Sequence, residues 1–207
     1  MINFSKQHTL ANSYTFKGKG LHTGLSVTMT IKPAKPNTGV LFHRVDLGPD
    51  AYINAVSDYV TTTSRGTTLE KGQVKISTLE HLMATLYGMH IDNVLVEIDA
   101  PEVPILDGSA KFFADAIAAD GIVEQDAERK YLEIKENICF RDDATGSEIV
   151  ILPYDSLAVN LMIDFNSKVL GNQYARFNQH VDFTKEIAPC RTFVFFHELE
   201  PLFKNNL

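Results

Sequence analysis

Apolar residues recur at every second position through most of this chain and at helical spacing in only a few places, and that contrast fixes the fold class. Val27, Met29 and Ile31 alternate with Thr, and Leu157, Val159, Leu161 and Ile163 repeat the pattern, so residues 25–32 and 157–165 read as half-buried strands. Residues 9–16, 40–44, 51–56 and 93–98 read as strands in the first half, and 131–140, 148–152 and 177–183 in the second. Helical spacing appears at Leu79, Leu82, Met83 and Leu86, behind a Ser77 placed as N-cap and a Glu80 three residues later, which makes a capping box. Tyr87 and Gly88 supply its stop. A second helix spans about 109–120, capped by Ser109, burying Phe112, Phe113, Ala116 and Ile117, and stopped at Gly121. Residues 195–207 carry a possible last helix. The expectation is an α+β chain of two domains, each a mainly antiparallel sheet layered with helices. The first covers 1–126; 124–130 is a charged linker; the second, 130–207, has strands but few helical residues to cover them and reads as truncated.

Composition narrows the function classes. A formal charge of −7 provides no global basic field for nucleic acid. No apolar run approaches the roughly 20 residues of a membrane span, and the N-terminus lacks the basic-then-apolar pattern of a signal peptide. Cys139 and Cys190 form no CxxC pair and suggest a reducing, cytoplasmic setting.

Several residues could carry chemistry. Glu80 and His81 fall together in the first turn of a helix, where a carboxylate beside an imidazole could act as general base next to a metal ligand. A capping box and a hydrogen-bonded boundary histidine explain the same pair. Gly18-Lys19-Gly20-Leu21-His22-Thr23-Gly24 is no dinucleotide fingerprint, since no helix follows; His22 is a turn histidine or a site residue. Residues 61–68, rich in Thr, either line a pocket with hydroxyl groups or form a solvated strand. Residues 100–109 are a loop stiffened by Pro101 and Pro104 and turned at Asp107-Gly108.

Taken in order, the segments 20–24 (GLHTG), 76–82 (ISTLEHL), 91–93 (IDN), 100–109 (APEVPILDGS), 163–166 (IDFN) and 191–193 (RTF) resemble the UDP-3-O-acyl-N-acetylglucosamine deacetylases, zinc amidohydrolases of lipid A biosynthesis in Gram-negative bacteria. The resemblance implies that His81 is a zinc ligand and that Glu80 is the base deprotonating the zinc-bound water. It implies that the Thr192 hydroxyl holds the carbonyl oxygen, that Asp164 and Phe165 lie near the uridine, and that Phe193 joins the substrate contacts. The substrate would be UDP-3-O-acyl-N-acetylglucosamine, and in some bacteria the enzyme is fused to a hydroxyacyl-carrier-protein dehydratase. The family's other zinc ligands, a His and an Asp four apart, and its general-acid His have no counterpart here: neither His180 nor His197 is followed by Asp four residues on. The 207-residue chain alone is therefore expected to hold zinc poorly and not to turn over. The alternative from a different class is an inactive fragment or split-gene product that keeps only nucleotide-sugar and acyl surfaces.

Overall fold

The computed structural model describes residues 5–197 and residue 199. The chain divides into two compact units. The first contains β1 (Lys6–Leu10), β2 (Tyr14–Lys19), β3 (Ser26–Pro33), β4 (Val40–Arg44), β5 (Tyr52–Asn54), β6 (Val60–Thr62), β7 (Thr68–Lys71), β8 (Val74–Ser77), α1 (Glu80–Gly88), β9 (Val94–Ile98), α2 (Lys111–Asp120) and β10 (Ile122–Glu128). Its main sheet has the order β2-β3-β9-β4-β5, antiparallel except where β4 runs parallel to β9. The alternation seen in 25–32 is the reason in β3, where Val27, Met29 and Ile31 are buried, and the same two-residue period buries Val94, Val96 and Ile98 of β9. Leu82 and Leu86 of α1 and Phe113 and Ile117 of α2 join them in one apolar core. Phe113 meets Phe16 of β2 edge-to-face at 4.8 Å. A second antiparallel sheet, β6-β7-β8, carries the chain into α1.

Several boundaries differ from the sequence reading, each for a local reason. Residues 9–16 are two strands, broken by a bend at Ala11 and Asn12, with β1 pairing β10 and β2 pairing β3. The charged stretch expected as a linker is therefore β10. Its acidic side chains face out, while Gln125 turns inward, accepting from Asn93 Nδ2 at 2.8 Å and donating to the Ala34 carbonyl at 2.8 Å. Gly88 closes α1 from within, and the left-handed residue that ends it is His90, φ 61°. Phe112 is exposed, because a helix burying Phe113, Ala114 and Ile117 turns its neighbour about 100° away. Gly121, at φ 81°, ends α2 as expected.

The second unit holds two separate antiparallel hairpins, β11 (Ile138–Asp142) with β12 (Ser147–Ile151) and β13 (Val159–Asp164) with β14 (Asn172–Phe177). The strand expected over 131–140 is confined to its end, and residues 177–183 are the end of β14 and a turn. Residues 183–197 group with the first unit, where Phe183–Ile187 forms a π-helical turn. The helix expected over 195–207 falls largely outside the described residues. Among those described, no helix is long and apolar enough to cross a membrane.

Candidate active site

The turn from β8 into α1 is the origin of the site. Thr78 adopts φ 55°, a left-handed conformation that costs a β-branched residue on the order of 1–3 kcal/mol. Two hydrogen bonds hold it there: its N–H donates to the Thr67 carbonyl at 3.0 Å and its hydroxyl donates to Glu102 Oε1 at 2.8 Å. This tight reversal leaves Glu80 and His81 as the first two residues of α1. It also displaces the expected capping box. Ser77 stays in β8, donating its hydroxyl to the Pro101 carbonyl at 3.2 Å, while Leu79 occupies the cap position with no side-chain cap bond. Glu80 instead receives the Thr67 N–H on Oε2 at 3.1 Å. Gly66 lies beside its other oxygen; a Cβ there would stand 3.3 Å from Oε1. The threonine-rich stretch thus contributes a backbone donor to Glu80.

Glu80, His81 and Ala84 line a shallow open pocket of about 190 Å³, together with Ala110 ahead of α2 and with Phe183, Ile187 and Cys190. The Phe183 ring packs on Gly88, where a Cβ would collide with it. That contact explains the helical glycine and seats the 183–190 segment on α1. Ala188 donates to the Phe183 carbonyl at 2.8 Å and is fully buried. Cys190 donates its thiol to the Glu186 carbonyl at 3.3 Å. Two residues on, the Thr192 N–H donates to the Gly108 carbonyl at 2.8 Å, which ties 190–192 to the loop preceding Ala110. Gly108 adopts φ 84°, and a Cβ there would stand 3.5 Å from the Thr192 methyl. Thr192 and Phe193 are both exposed, and Phe193 meets Phe195 edge-to-face at 5.6 Å. Asp107 turns this loop by accepting the Ser109 hydroxyl at 2.7 Å and N–H at 3.0 Å. Ser109 holds its carboxyl below the usual aspartate range, with Arg191 adding to the effect.

His22 sits on the β2–β3 loop. Its ring Nε2 lies 3.3 Å from the Arg65 carbonyl, and its N–H donates to both oxygens of Glu102, at 3.0 and 3.2 Å. Glu102 also accepts the Thr23 N–H at 2.9 Å and the Thr23 hydroxyl at 2.8 Å. Burial pushes the Glu102 carboxyl up, but the N–H and hydroxyl donors of His22, Thr23 and Thr78 outweigh it and hold the group below the ordinary glutamate range. Glu102 is fully buried. Sequence reasoning saw it only as part of a proline-stiffened loop, and no residue-type signal marks a glutamate that will accept from three separate residues. It likewise passed over Phe183, Ile187 and Cys190 as cavity walls.

Of the expected site residues, the first unit brings Glu80 and His81 into one cavity and ties Thr192 to the loop beside it. Asp164 and Phe165 belong to the second unit, at the end of β13. Asp164 accepts the Asn166 N–H at 2.8 Å and Phe165 donates to the Gly171 carbonyl at 3.3 Å, closing the β13–β14 turn. The described residues contain no group of three or more His, Cys, Asp or Glu side chains able to hold a metal ion. His81 offers one imidazole, and a protein zinc site takes three or four protein donors. These residues do not by themselves fit a catalytic zinc.

Residues 7–207 match the family model described as LpxC, UDP-3-O-acyl N-acetylglycosamine deacetylase. The bifunctional enzyme LpxC/FabZ of Bacteroides thetaiotaomicron is 46% identical over 202 residues, covering 98% of this chain and 44% of that protein. The UDP-3-O-acyl-N-acetylglucosamine deacetylase of Chromohalobacter salexigens is 42% identical over 207 residues, covering 98% and 67%. That of Methylococcus capsulatus is 42% identical over 205 residues, again covering 98% and 67%. The chain spans less than half the length of the bifunctional relatives and about two thirds of the others. Those bifunctional relatives join LpxC and FabZ in one protein, a fusion of the kind the family resemblance implied for some bacteria. Matched over nearly all of its length, this chain belongs to the UDP-3-O-acyl-N-acetylglucosamine deacetylase family.

Proposed function

We propose that this chain contributes the base and one metal donor to a zinc-dependent deacetylase that removes the N-acetyl group of UDP-3-O-acyl-N-acetylglucosamine, in the cytoplasm and in the service of lipid A biosynthesis. The observation that carries the reading is the joint presentation of Glu80 and His81 on one cavity at the start of α1, within a chain of this family. Glu80, steadied by the Thr67 N–H, accepts a proton from the water that attacks the acetamide carbonyl carbon. The Thr192 hydroxyl donates to the carbonyl oxygen as negative charge collects on it. The carbon–nitrogen bond then breaks, the amine nitrogen takes up a proton, and acetate leaves. His81 would be one donor to zinc, which would polarise the carbonyl and lower the pKa of its water, and a catalytic site needs further protein donors besides it. By the family pattern, Thr192 and Phe193 are assigned to substrate contacts and Asp164 and Phe165 to uridine contacts. In its test, acetate release from this substrate by the full-length gene product should be abolished by a chelator and restored by zinc. Release that a chelator leaves untouched would overturn the reading.

A second reading has its own support. With no group of three or more His, Cys, Asp or Glu side chains able to hold a metal ion among the described residues, the 207-residue chain alone is an inactive binding module for nucleotide sugar and acyl chain. Substoichiometric zinc after dialysis, together with retained UDP binding, is the expected result for the isolated chain. One tightly held zinc per chain would exclude it.

A further inference from the structure

We infer that Glu102 is a positioning residue: its buried carboxylate is the common acceptor that locks the His22 loop and the Thr78 turn to each other, and so sets where Glu80 and His81 stand. The proposal rests on the deacetylase reading for its catalytic consequence, though not for its geometry.

The side chain lies at 0% exposure, and no cation pairs with it among the described residues. A buried carboxylate without a counter-ion persists only if donors surround it. Here they come from two separate segments. His22 and Thr23 supply three groups from the β2–β3 loop, and Thr78 supplies its hydroxyl from the turn before α1. The Glu102 backbone is fixed as well. Ser77 donates to the Pro101 carbonyl at 2.9 Å and Val103 donates back to the Ser77 carbonyl at 3.1 Å, so the acceptor is anchored to the end of β8.

Three features mark this arrangement as more than a filled core position. The Thr78 hydroxyl that Glu102 receives belongs to a left-handed β-branched residue, one residue before Leu79 and two before Glu80. The conformation that aims the base is therefore held by this acceptor. Gly20 has no side chain where one would collide with the Glu102 carboxylate and the Thr23 hydroxyl, so the loop closes directly on the acceptor. Finally, a second bridge joins the same two segments: the His22 ring reaches the Arg65 carbonyl, and the Thr67 N–H, two residues further, holds Glu80. Releasing Glu102 loosens both ends of that path.

The test uses the full-length gene product and reads amide exchange together with turnover. In Glu102→Gln one acceptor oxygen becomes an NH₂ facing donors, so exchange in 20–25 and 78–83 should rise by at least about 10-fold, the scale of a lost hydrogen bond to a charged group. Exchange in 94–98, in the core of the same unit, should stay at the wild-type value. Thr78→Val, which removes one hydroxyl and keeps the shape, should raise exchange in 78–83, and Thr78→Ser, which restores the hydroxyl, should return it. Turnover in Glu102→Gln and Thr78→Val should fall on the order of 10²-fold with KM little changed, because the base is displaced and the substrate contacts are not. Unchanged exchange in both segments would overturn the proposal, as would a uniform rise that includes 94–98 or equal behaviour of Thr78→Ser and Thr78→Val. If the exchange results appear but the wild-type product releases no acetate, the positioning role stands and the deacetylase reading fails.

Discussion

Replacing Gly88 by Ala tests how the cavity wall is attached. In an ordinary helix interior the exchange stabilises by roughly 0.5–1 kcal/mol, since Gly surrenders more backbone freedom on folding. Here the new methyl would enter the Phe183 ring, and even Cδ1, the most distant of the three ring atoms it meets, lies at 2.7 Å. The ring must move, and Phe183 is 8% exposed, so little space surrounds it. Undocking it forfeits about 1.5–3 kcal/mol of apolar burial, and squeezing it in place costs about 1–3 kcal/mol. Set against the helix gain, the net expectation is a loss of about 1–2 kcal/mol. The loss is local to the 183–190 segment. Amide exchange at Ala188 and Cys190, whose N–H groups close that turn, should rise about 5–30-fold in Gly88→Ala. In the double variant Gly88→Ala/Phe183→Ala the colliding Cγ, Cδ1 and Cδ2 atoms are gone, so the two changes should be non-additive. A more stable Gly88→Ala with wild-type exchange at Ala188 would refute the packing argument.

Three further predictions follow from the same geometry. Gly20→Ala should destabilise the first unit by about 1–3 kcal/mol in urea melts, because its methyl would meet the Glu102 carboxylate and the Thr23 hydroxyl. Acid should weaken the protein through Glu102. A folded carboxyl held below its unfolded value contributes stability that is present above the unfolded value and lost as pH falls through the folded one. Urea melts of wild type and Glu102→Gln should therefore converge as pH drops from about 5 to 3, and a constant gap across that range would contradict the assignment. The hairpins of the second unit expose Phe140, Ile149, Leu161 and Met162 at 62%, 58%, 48% and 71%. Such apolar area drives association, so the isolated 207-residue chain should sediment as concentration-dependent oligomers.

What the sequence revealed was periodicity; what it concealed was the third dimension of its loops. The alternation in β3, the apolar run of β9 and the helical spacing of Leu82, Leu86, Phe113 and Ile117 marked the strands, the two helices and the residues they bury, while the strand order and the outward turn of Phe112 were not legible. Glu80 and His81 were legible as a pair because they sit at a helix start. Residues 124–130 misled because charge dominates their composition, whereas the outward-facing acids and inward-facing Gln125 of β10 obey the two-residue period. The capping box at Ser77 failed because a left-handed Thr78 consumed the residue that would have followed the cap, a conformation no propensity favours. Gly88 read as a stop signal when its use is to admit Phe183, a contact spanning 95 positions of the chain. Glu102 was invisible for a similar reason, since its donors come from segments some 80 and 24 residues away.

The most direct measurement is the rate of acetate release by the full-length gene product carrying Glu80→Gln, taken together with its zinc content. Removing the proton acceptor while keeping the shape and the neighbouring His81 should lower turnover by about 10²–10⁴-fold with zinc retained at the wild-type level. A Glu80→Gln protein that turns over at the wild-type rate would contradict the role given to Glu80, and with it the account of why the chain turns so sharply at Thr78.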